Sequence, residues 1–273
     1  MTDGGFTRKG PGISLLEYLH QLGLRPGQHA LLHGSLRAVR RAFPRCRAEE
    51  VLAALQRILT ANGSLIMPTF TYCFKRVAGG VVPYEAATTP SKTGFLSEHF
   101  RQNPGVIRTA SPTHAFALWG RVTEEVGADN SPTAPLGRGS VLEWLHARDT
   151  AVVVMLGVDF SALTFGHYLE HAAGLPGLRN FPWTHAGILP VGVSTTGEQP
   201  LEEVPGCSRS FIHLEKHLLE QQCLVPYEHA GLRSYLISVA RLYEEGLAFL
   251  REHPDGLLCA AGTCQACDTR RQF

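Results

Sequence analysis

The run Ala151-Val152-Val153-Val154-Met155-Leu156-Gly157-Val158 is uncharged and rich in valine, the pattern of a strand buried on both faces. Such a strand needs helices above and below it, so this one segment already selects an α/β architecture. The chain then passes through Asp159 into Thr164-Phe165-Gly166-His167-Tyr168-Leu169-Glu170-His171, read as a helix opened by Ser161 or Thr164. In open α/β sheets ligands collect at the carboxyl ends of the strands, so chemistry is expected at this junction. His167 and Glu170 are three residues apart and share a helical face, within reach of each other or of one bound group. A neutral imidazole there can take a proton from an amine or a thiol, while the carboxylate would orient the ring and favour its charged form.

Strand and helix patterns alternate through the rest of the chain. Ile13 to Leu22 carries a helical apolar stripe stopped by Gly23, Pro26 and Gly27, and His29 to Ser35 reads as a strand running into a turn and a helix. Arg37, Arg40, Arg41, Arg45 and Arg47 follow within eleven residues. Helices are expected over Glu49 to Thr60, Ser91 to Gln102, Ser140 to His146, Ser208 to Gln222 and Ser234 to His253. A second strand covers Ser64 to Met67 and is broken by Pro68, and Arg108 to Gly120 is a short apolar stretch. Gly79-Gly80, Pro83 and Pro90 mark residues 71 to 90 as an ordered excursion, while Ala186 to Val193 alternates as an edge strand or hairpin arm. The expected fold is a mostly parallel sheet covered on both faces, with loop or small-subdomain insertions. The expected division is an N-terminal tail over 1–12, one domain over 13–255 and a cysteine-containing tail over 256–273.

With 273 residues, 44% of them hydrophobic, the chain can bury one large core. A net charge of +1 gives no global reason to expect a nucleic acid or an acidic membrane as partner. Met1 to Gly12 holds no apolar run of signal-peptide length, and no stretch approaches the roughly 18 apolar residues of a spanning helix, so a cytoplasmic protein is expected. Seven cysteines, an odd number, do not suggest a disulfide framework. Cys259, Cys264 and Cys267, with His253 nearby, would suit a tetrahedral zinc site; the plainer reading is a frayed terminus.

Four segments in order carry a resemblance: Leu32-His33-Gly34-Ser35-Leu36-Arg37, then Gly63-Ser64-Leu65-Ile66-Met67-Pro68-Thr69-Phe70, then Arg108-Thr109-Ala110-Ser111-Pro112-Thr113-His114-Ala115-Phe116-Ala117-Leu118-Trp119-Gly120, then Leu156-Gly157-Val158 with Thr164 to Glu170. With Ser131-Pro132 between the last two, this succession resembles the aminoglycoside 3-N-acetyltransferase family over about residues 13 to 255. The resemblance implies a three-layer α/β/α fold, acetyl-CoA or another acyl-CoA as co-substrate, no required metal, and a small-molecule amine as acceptor. It implies His167 as base and Glu170 as its orienting carboxylate, and it places Ser35, Leu36, Met67 and Thr69 along the thioester and pantetheine arm. His33 and Gly34 fall in the same donor-lining segment. The chain departs from the family where Arg-Ser-x-His-Pro becomes Arg108-Thr109-Ala110-Ser111-Pro112, with His114 two residues beyond the proline. Arginines also stand where glycines often follow the first strand.

On that footing the backbone N–H groups of Ser35 and Leu36 would hold the oxyanion of the reacting thioester, although an ordinary helix cap is an equal use for this turn. Arg37, Arg40, Arg41, Arg45 and Arg47 suit the phosphates of coenzyme A, or those of an acyl carrier protein, or form a solvated face. Arg108, Ser111 and His114 are expected to face the acceptor, and near-neutral charge favours a smaller or less basic amine than a polycationic aminoglycoside. Cys73 lies near the donor-lining segment without a flanking base. A competing reading takes His167-Tyr168-Leu169-Glu170-His171 as a zinc hydrolase motif, with a further ligand from Glu202, Glu203, Glu215 or Glu220. The oligomeric state is open, a dimer being compatible with the chain.

Overall fold

The computed structural model describes residues 12–175, 177–202 and 206–273; most of the expected N-terminal tail, and Glu203, lie outside the described residues. The first half of the chain runs α1 (Leu15–Leu22), β1 (His29–Gly34), α2 (Leu36–Ala42), α3 (Ala48–Leu59), β2 (Ser64–Pro68), β3 (Phe74–Arg76), α4 (Phe95–Phe100), β4 (Ile107–Arg108), β5 (Phe116–Gly120) and α5 (Val122–Glu125). The second half runs α6 (Val141–His146), β6 (Ala151–Leu156), α7 (Phe165–Ala172), β7 (Ile188–Ser194), β8 (Gly197–Pro200), α8 (Ile212–Glu220), β9 (Tyr227–His229), β10 (Leu232–Ser238), α9 (Val239–Glu252) and α10 (Gln265–Arg270). Among the described residues no helix is long and apolar enough to cross a membrane.

Seven strands form one sheet in the order β4-β5-β2-β1-β6-β10-β9, and β3-β7-β8 form a second, smaller one. The large sheet is mixed: β2, β1 and β6 run parallel, and every pairing outside them is antiparallel. The mostly parallel sheet read from the sequence is thus confined to three central strands. The flanks escape that reading because their turns are unmarked; β9 and β10 are joined at Ala230 and Gly231, both at positive φ, a hairpin corner that Asn-Gly would have announced. For the same reason Ser234–Ser238, expected to open a helix, is strand paired to Val152–Leu156, and α9 begins only where the Ser238 hydroxyl accepts the Arg241 N–H at 3.2 Å. The helix expected from Ser91 starts at Phe95, after Gly94 at φ +113°.

Alternation along the central strands divides the core. Leu31, Val153 and Met155 pack with α6, α7, α8 and α9 on one face, while Ala30, Leu32, Val154 and Leu156 pack with α1, α2, α3 and α4 on the other. β6 is buried along its whole length, as its valines require. The C-terminal segment is no tail: α10 docks with Cys267 and Arg270 buried.

Two features aim the fold at one place. The carboxyl ends of β1, β2 and β6 meet beside β1, where connections leave in opposite directions. At Gly157, with φ +68°, the chain turns so close to α2 that a Cβ would lie 2.5 Å from that of Ala38. Leu31, fully buried in the middle strand, bears on all of this. Leu31→Ala is expected to cost about 2–5 kcal/mol of unfolding free energy, read by urea denaturation.

Candidate active site

After Gly157 the chain makes a short 3-10 turn, Phe160–Ala162, in which the Asp159 carboxylate accepts the Ser161 N–H at 3.0 Å. Glu215 fixes this turn from below, accepting the Phe160 N–H at 2.7 Å and the Tyr235 hydroxyl at 2.8 Å. Helix α7 then presents His167, its ring edge-on to Phe211 at 4.9 Å between centroids. Nδ1 of His167 lies 2.9 Å from Oε2 of Glu170, and Nη2 of Arg270 donates to Oε1 of Glu170 at 2.8 Å. Both Glu170 and Arg270 are buried, a charge pair whose desolvation is offset by mutual attraction and hydrogen bonds. Burial would raise the Glu170 pKa, but the His167 hydrogen bond and the Arg270 guanidinium outweigh it and hold the carboxyl below its usual range. An ionised Glu170 accepts a proton on Nδ1 of His167 and leaves Nε2 with a lone pair.

His167 borders two cavities. The first, about 500 Å³, opens at the strand ends and is lined by His33, Gly34, Pro68 and the aromatic series Phe70, Tyr72 and Phe74, with Trp183 edge-on to Phe74 at 5.8 Å between ring centroids and Phe181 and Ile188 also in the lining. The second, about 530 Å³, is bordered by His167, Glu170, His171, Arg179 and Glu202. An imidazole at the junction of two cavities can serve a reacting pair approaching from either side.

A family model described as aminoglycoside 3-N-acetyltransferase matches residues 31–251. The chain belongs to that family. YokD of Bacillus subtilis, a prophage-derived aminoglycoside N(3')-acetyltransferase-like protein, is 28% identical over 176 residues, 58% of this chain and 64% of its own length. Aminoglycoside N(3)-acetyltransferase IV of Salmonella sp is 32% identical over 164 residues, 59% of each chain. These alignments span about three-fifths of the relatives' lengths. The structure of aminoglycoside acetyltransferase AAC(3)-IVa as apoenzyme superimposes with a TM-score of 0.79 at 26% identity, covering 94% of this chain and 95% of that one. That of AAC-IIIb in binary complex with CoASH shares the fold, with a TM-score of 0.70 at 22% identity over 87% and 95% of the two chains.

Within this family member the expected site residues separate into two groups. His33, Gly34 and His114 border the first cavity with His167. His33 is a structural acceptor, taking the Thr164 N–H on Nε2 at 3.3 Å and so tying the end of β1 to the start of α7. His114 sits in an aromatic cage, 4.7 Å from Phe70 between ring centroids, with Nδ1 2.9 Å from the Thr113 hydroxyl.

Most of the others serve the fold instead. The Ser35 amide, expected to hold an oxyanion, donates to the Leu156 carbonyl at 3.0 Å, and its hydroxyl caps α2 by accepting the Ala38 N–H. Leu36 and Met67 are core residues on the α1–α4 side, because strand alternation turns Met67 inward and gives the cavity Pro68. Thr69 bonds the Ala115 carbonyl and accepts from Arg108, whose guanidinium also holds the carbonyls of Thr69 and Thr89; Arg108 is therefore a buried staple for the 69–93 segment, not an acceptor contact. Ser111 caps its own turn through the His114 N–H. Arg37, Arg40 and Arg41 are exposed on α2, outside the cavity lining.

The zinc hydrolase reading fails on Glu170, both of whose oxygens are engaged, and on Glu215, which is committed to Phe160 and Tyr235. Among the described residues the group of side chains close enough to hold a metal is Cys207, Cys259, Cys264 and Cys267, away from His171. Arg270, and Lys92 at the rim of the first cavity, carry no local sequence signal that marks them. The alternate spacing of Phe70, Tyr72 and Phe74 is the one signal that would have found a cavity wall.

Burial pushes His33 down to about 3, and burial with the charge of His167 does the same for His114. Below about pH 6.5 the unfolded chain therefore binds protons that the folded chain refuses, and stability falls as the pH falls. Urea unfolding at pH 7 and pH 5 is expected to differ by about 4 kcal/mol from these two groups, and His114→Gln to remove about one proton from the dependence. A flat profile would contradict neutral, buried rings.

Proposed function

We propose that the protein transfers an acetyl group from acetyl-CoA to an amine of an aminoglycoside-type amino sugar by direct transfer, with His167 as general base; the family's aminoglycoside relatives support this acceptor over the smaller or less basic amine expected from net charge. The observation that carries this reading is the His167–Glu170–Arg270 chain at the border of two cavities. Family membership supports the reaction class, and the similar AAC(3)-IVa has been crystallised as a histidine-to-alanine variant in complex with a gentamicin, at 26% identity.

The first cavity suits a pantetheine arm: aromatic walls at Phe70, Tyr72 and Phe74 alternate with hydroxyls at Thr93, Ser97, Ser161 and Thr164. Lys92 at its rim, and Arg37, Arg40 and Arg41 on the helix that follows Gly34, supply cations for the phosphates. A carrier protein would present the same phosphopantetheine to the same patch. The second cavity, with Glu202 and the Glu170–His167 wall, takes the amine.

A thioester supplies an activated acyl carbon, so the residues have proton work to do. The substrate ammonium first gives up one proton to solvent; Nε2 of His167 then takes a second proton from the neutral amine as nitrogen attacks the acyl carbon, and Glu170 holds Nδ1–H so that the new imidazolium charge is met by a carboxylate. The same Nε2–H then serves the departing thiolate. With the Ser35 amide engaged and the Ser161 hydroxyl donating to the Asp159 carboxylate, the oxyanion donor is drawn from the hydroxyl of Thr164.

Steady-state assay of released thiol, with acetyl-CoA as donor and gentamicin as first acceptor, tests the proposal. His167→Ala is expected to lower kcat by about 100- to 10,000-fold. Stabilisation of this variant by acetyl-CoA in a thermal melt should persist. An active His167→Ala enzyme, or a wild-type chain that acetyl-CoA fails to stabilise at millimolar concentration, would overturn it.

A further inference from the structure

We propose that Cys207, Cys259, Cys264 and Cys267 bind one structural zinc ion, and that this ion holds the wall of the cleft and the guanidinium of Arg270 in place. The four sulfurs lie within 4.8 Å of one another, and Sγ of Cys207 is 3.6 Å from Sγ of Cys259. Zinc–thiolate bonds of about 2.3 Å in a tetrahedron put the sulfurs about 3.8 Å apart, so the cluster has the size of a tetrathiolate site. The thiols come from distant parts of the chain: Cys207 before the 3-10 turn Arg209–Phe211, Cys259 after α9, Cys264 just before α10 and Cys267 within it. Cys264 and Cys267 form a Cys-x-x-Cys pair, a spacing common at zinc knuckles.

The surroundings suit thiolates. Backbone N–H groups of Arg209, Ala266 and Cys267 donate to the sulfurs of Cys207 and Cys264, bonds that orient charged ligands. The cysteines form a small cluster of their own with Leu258, separate from both main cores. Four clustered thiols offer little apolar burial, whereas a divalent ion gives the arrangement a purpose. A sulfur-only tetrahedral set selects zinc over harder cations. All four positions are filled by protein, so the ion has no site for water or substrate and its role is structural.

The consequence for the site follows from the neighbours. A Cβ on Gly206, adjacent to Cys207, would lie 2.3 Å from Nη1 of Arg270 and 3.6 Å from Oε2 of Glu170. Arg270 itself follows Cys267 by three residues. Cys207 and Ala266 also border the first cavity. The ion therefore ties together the two segments that seal Glu170 and makes Arg270 a positioning residue for His167. This last step rests on the proposed acyl transfer, whereas the metal site itself does not.

The test begins with the full-length chain, purified without chelator or metal-affinity resin and analysed by inductively coupled plasma mass spectrometry. One zinc per chain is expected, released in step with thiol modification. Exchange for cobalt should give the thiolate charge-transfer and ligand-field bands of a tetrahedral tetrathiolate ion. Cys264→Ser should lose the zinc and lower the melting temperature, and Cys223→Ser should keep both. Metal-free protein that gives no such cobalt spectrum, iron in place of zinc, or a Cys207–Cys259 disulfide in reduced preparations would overturn the site. Removing zinc from folded enzyme is expected to lower kcat by about 100-fold, with KM for acetyl-CoA less affected and activity restored by zinc. Unchanged kcat in zinc-free enzyme would overturn the link to Arg270. A loaded enzyme with no transferase activity would count against the proposed function and leave metal content and cobalt spectrum to judge the site.

Discussion

A carboxylate buried between an imidazole and a guanidinium is the interaction on which the rest depends. The His167 hydrogen bond and the Arg270 guanidinium together keep Glu170 ionised against its burial, and without an ionised Glu170 nothing fixes which nitrogen of His167 carries the proton. The chain of three groups spans 100 residues of sequence between Glu170 and Arg270, so folding of the C-terminal segment completes the site.

The scaffold supplies position in stages. The valine strand β6 lies between β1 and β10 and delivers the chain to Gly157. Glu215 and Asp159 hold the 3-10 turn, His33 accepts the first amide at the head of α7, and Phe211 braces the imidazole ring. The Glu215 and His33 bonds are buried and the Asp159 bond is exposed, and with the Phe211 ring they restrict the path by which the histidine reaches the cavities. The smaller sheet, β3-β7-β8, adds a second wall to the cleft.

What was legible in the sequence was local. The buried strand, the helix after it and the His167–Glu170 spacing each lie within a few residues, and periodicity reads such patterns directly. The central parallel strands were legible for the same reason. What escaped were features decided by register or by distant contacts. Met67 and Pro68 differ by one position on β2, and strand alternation sends one to the core and the other to the cleft. Ser35 looked like an amide donor at a helix start, yet its N–H closes a bond to Leu156 that only the sheet pairing creates. Arg108 looked like an acceptor contact because it flanks the variant Ser111-Pro112 segment; here it is buried on carbonyls. Cys207 stands 52 residues before Cys259, too far for any spacing rule to join it to the C-terminal cysteines.

The central claim concerns one proton. In protein labelled with nitrogen-15 at histidine, long-range nitrogen–proton correlation spectra at neutral pH report which ring nitrogen of His167 is protonated, with His167→Ala supplying the assignment. The account expects the Nδ1–H tautomer with a bare Nε2, changing to the other tautomer or to a mixture in Glu170→Gln. A wild-type His167 that carries its proton on Nε2 would contradict it.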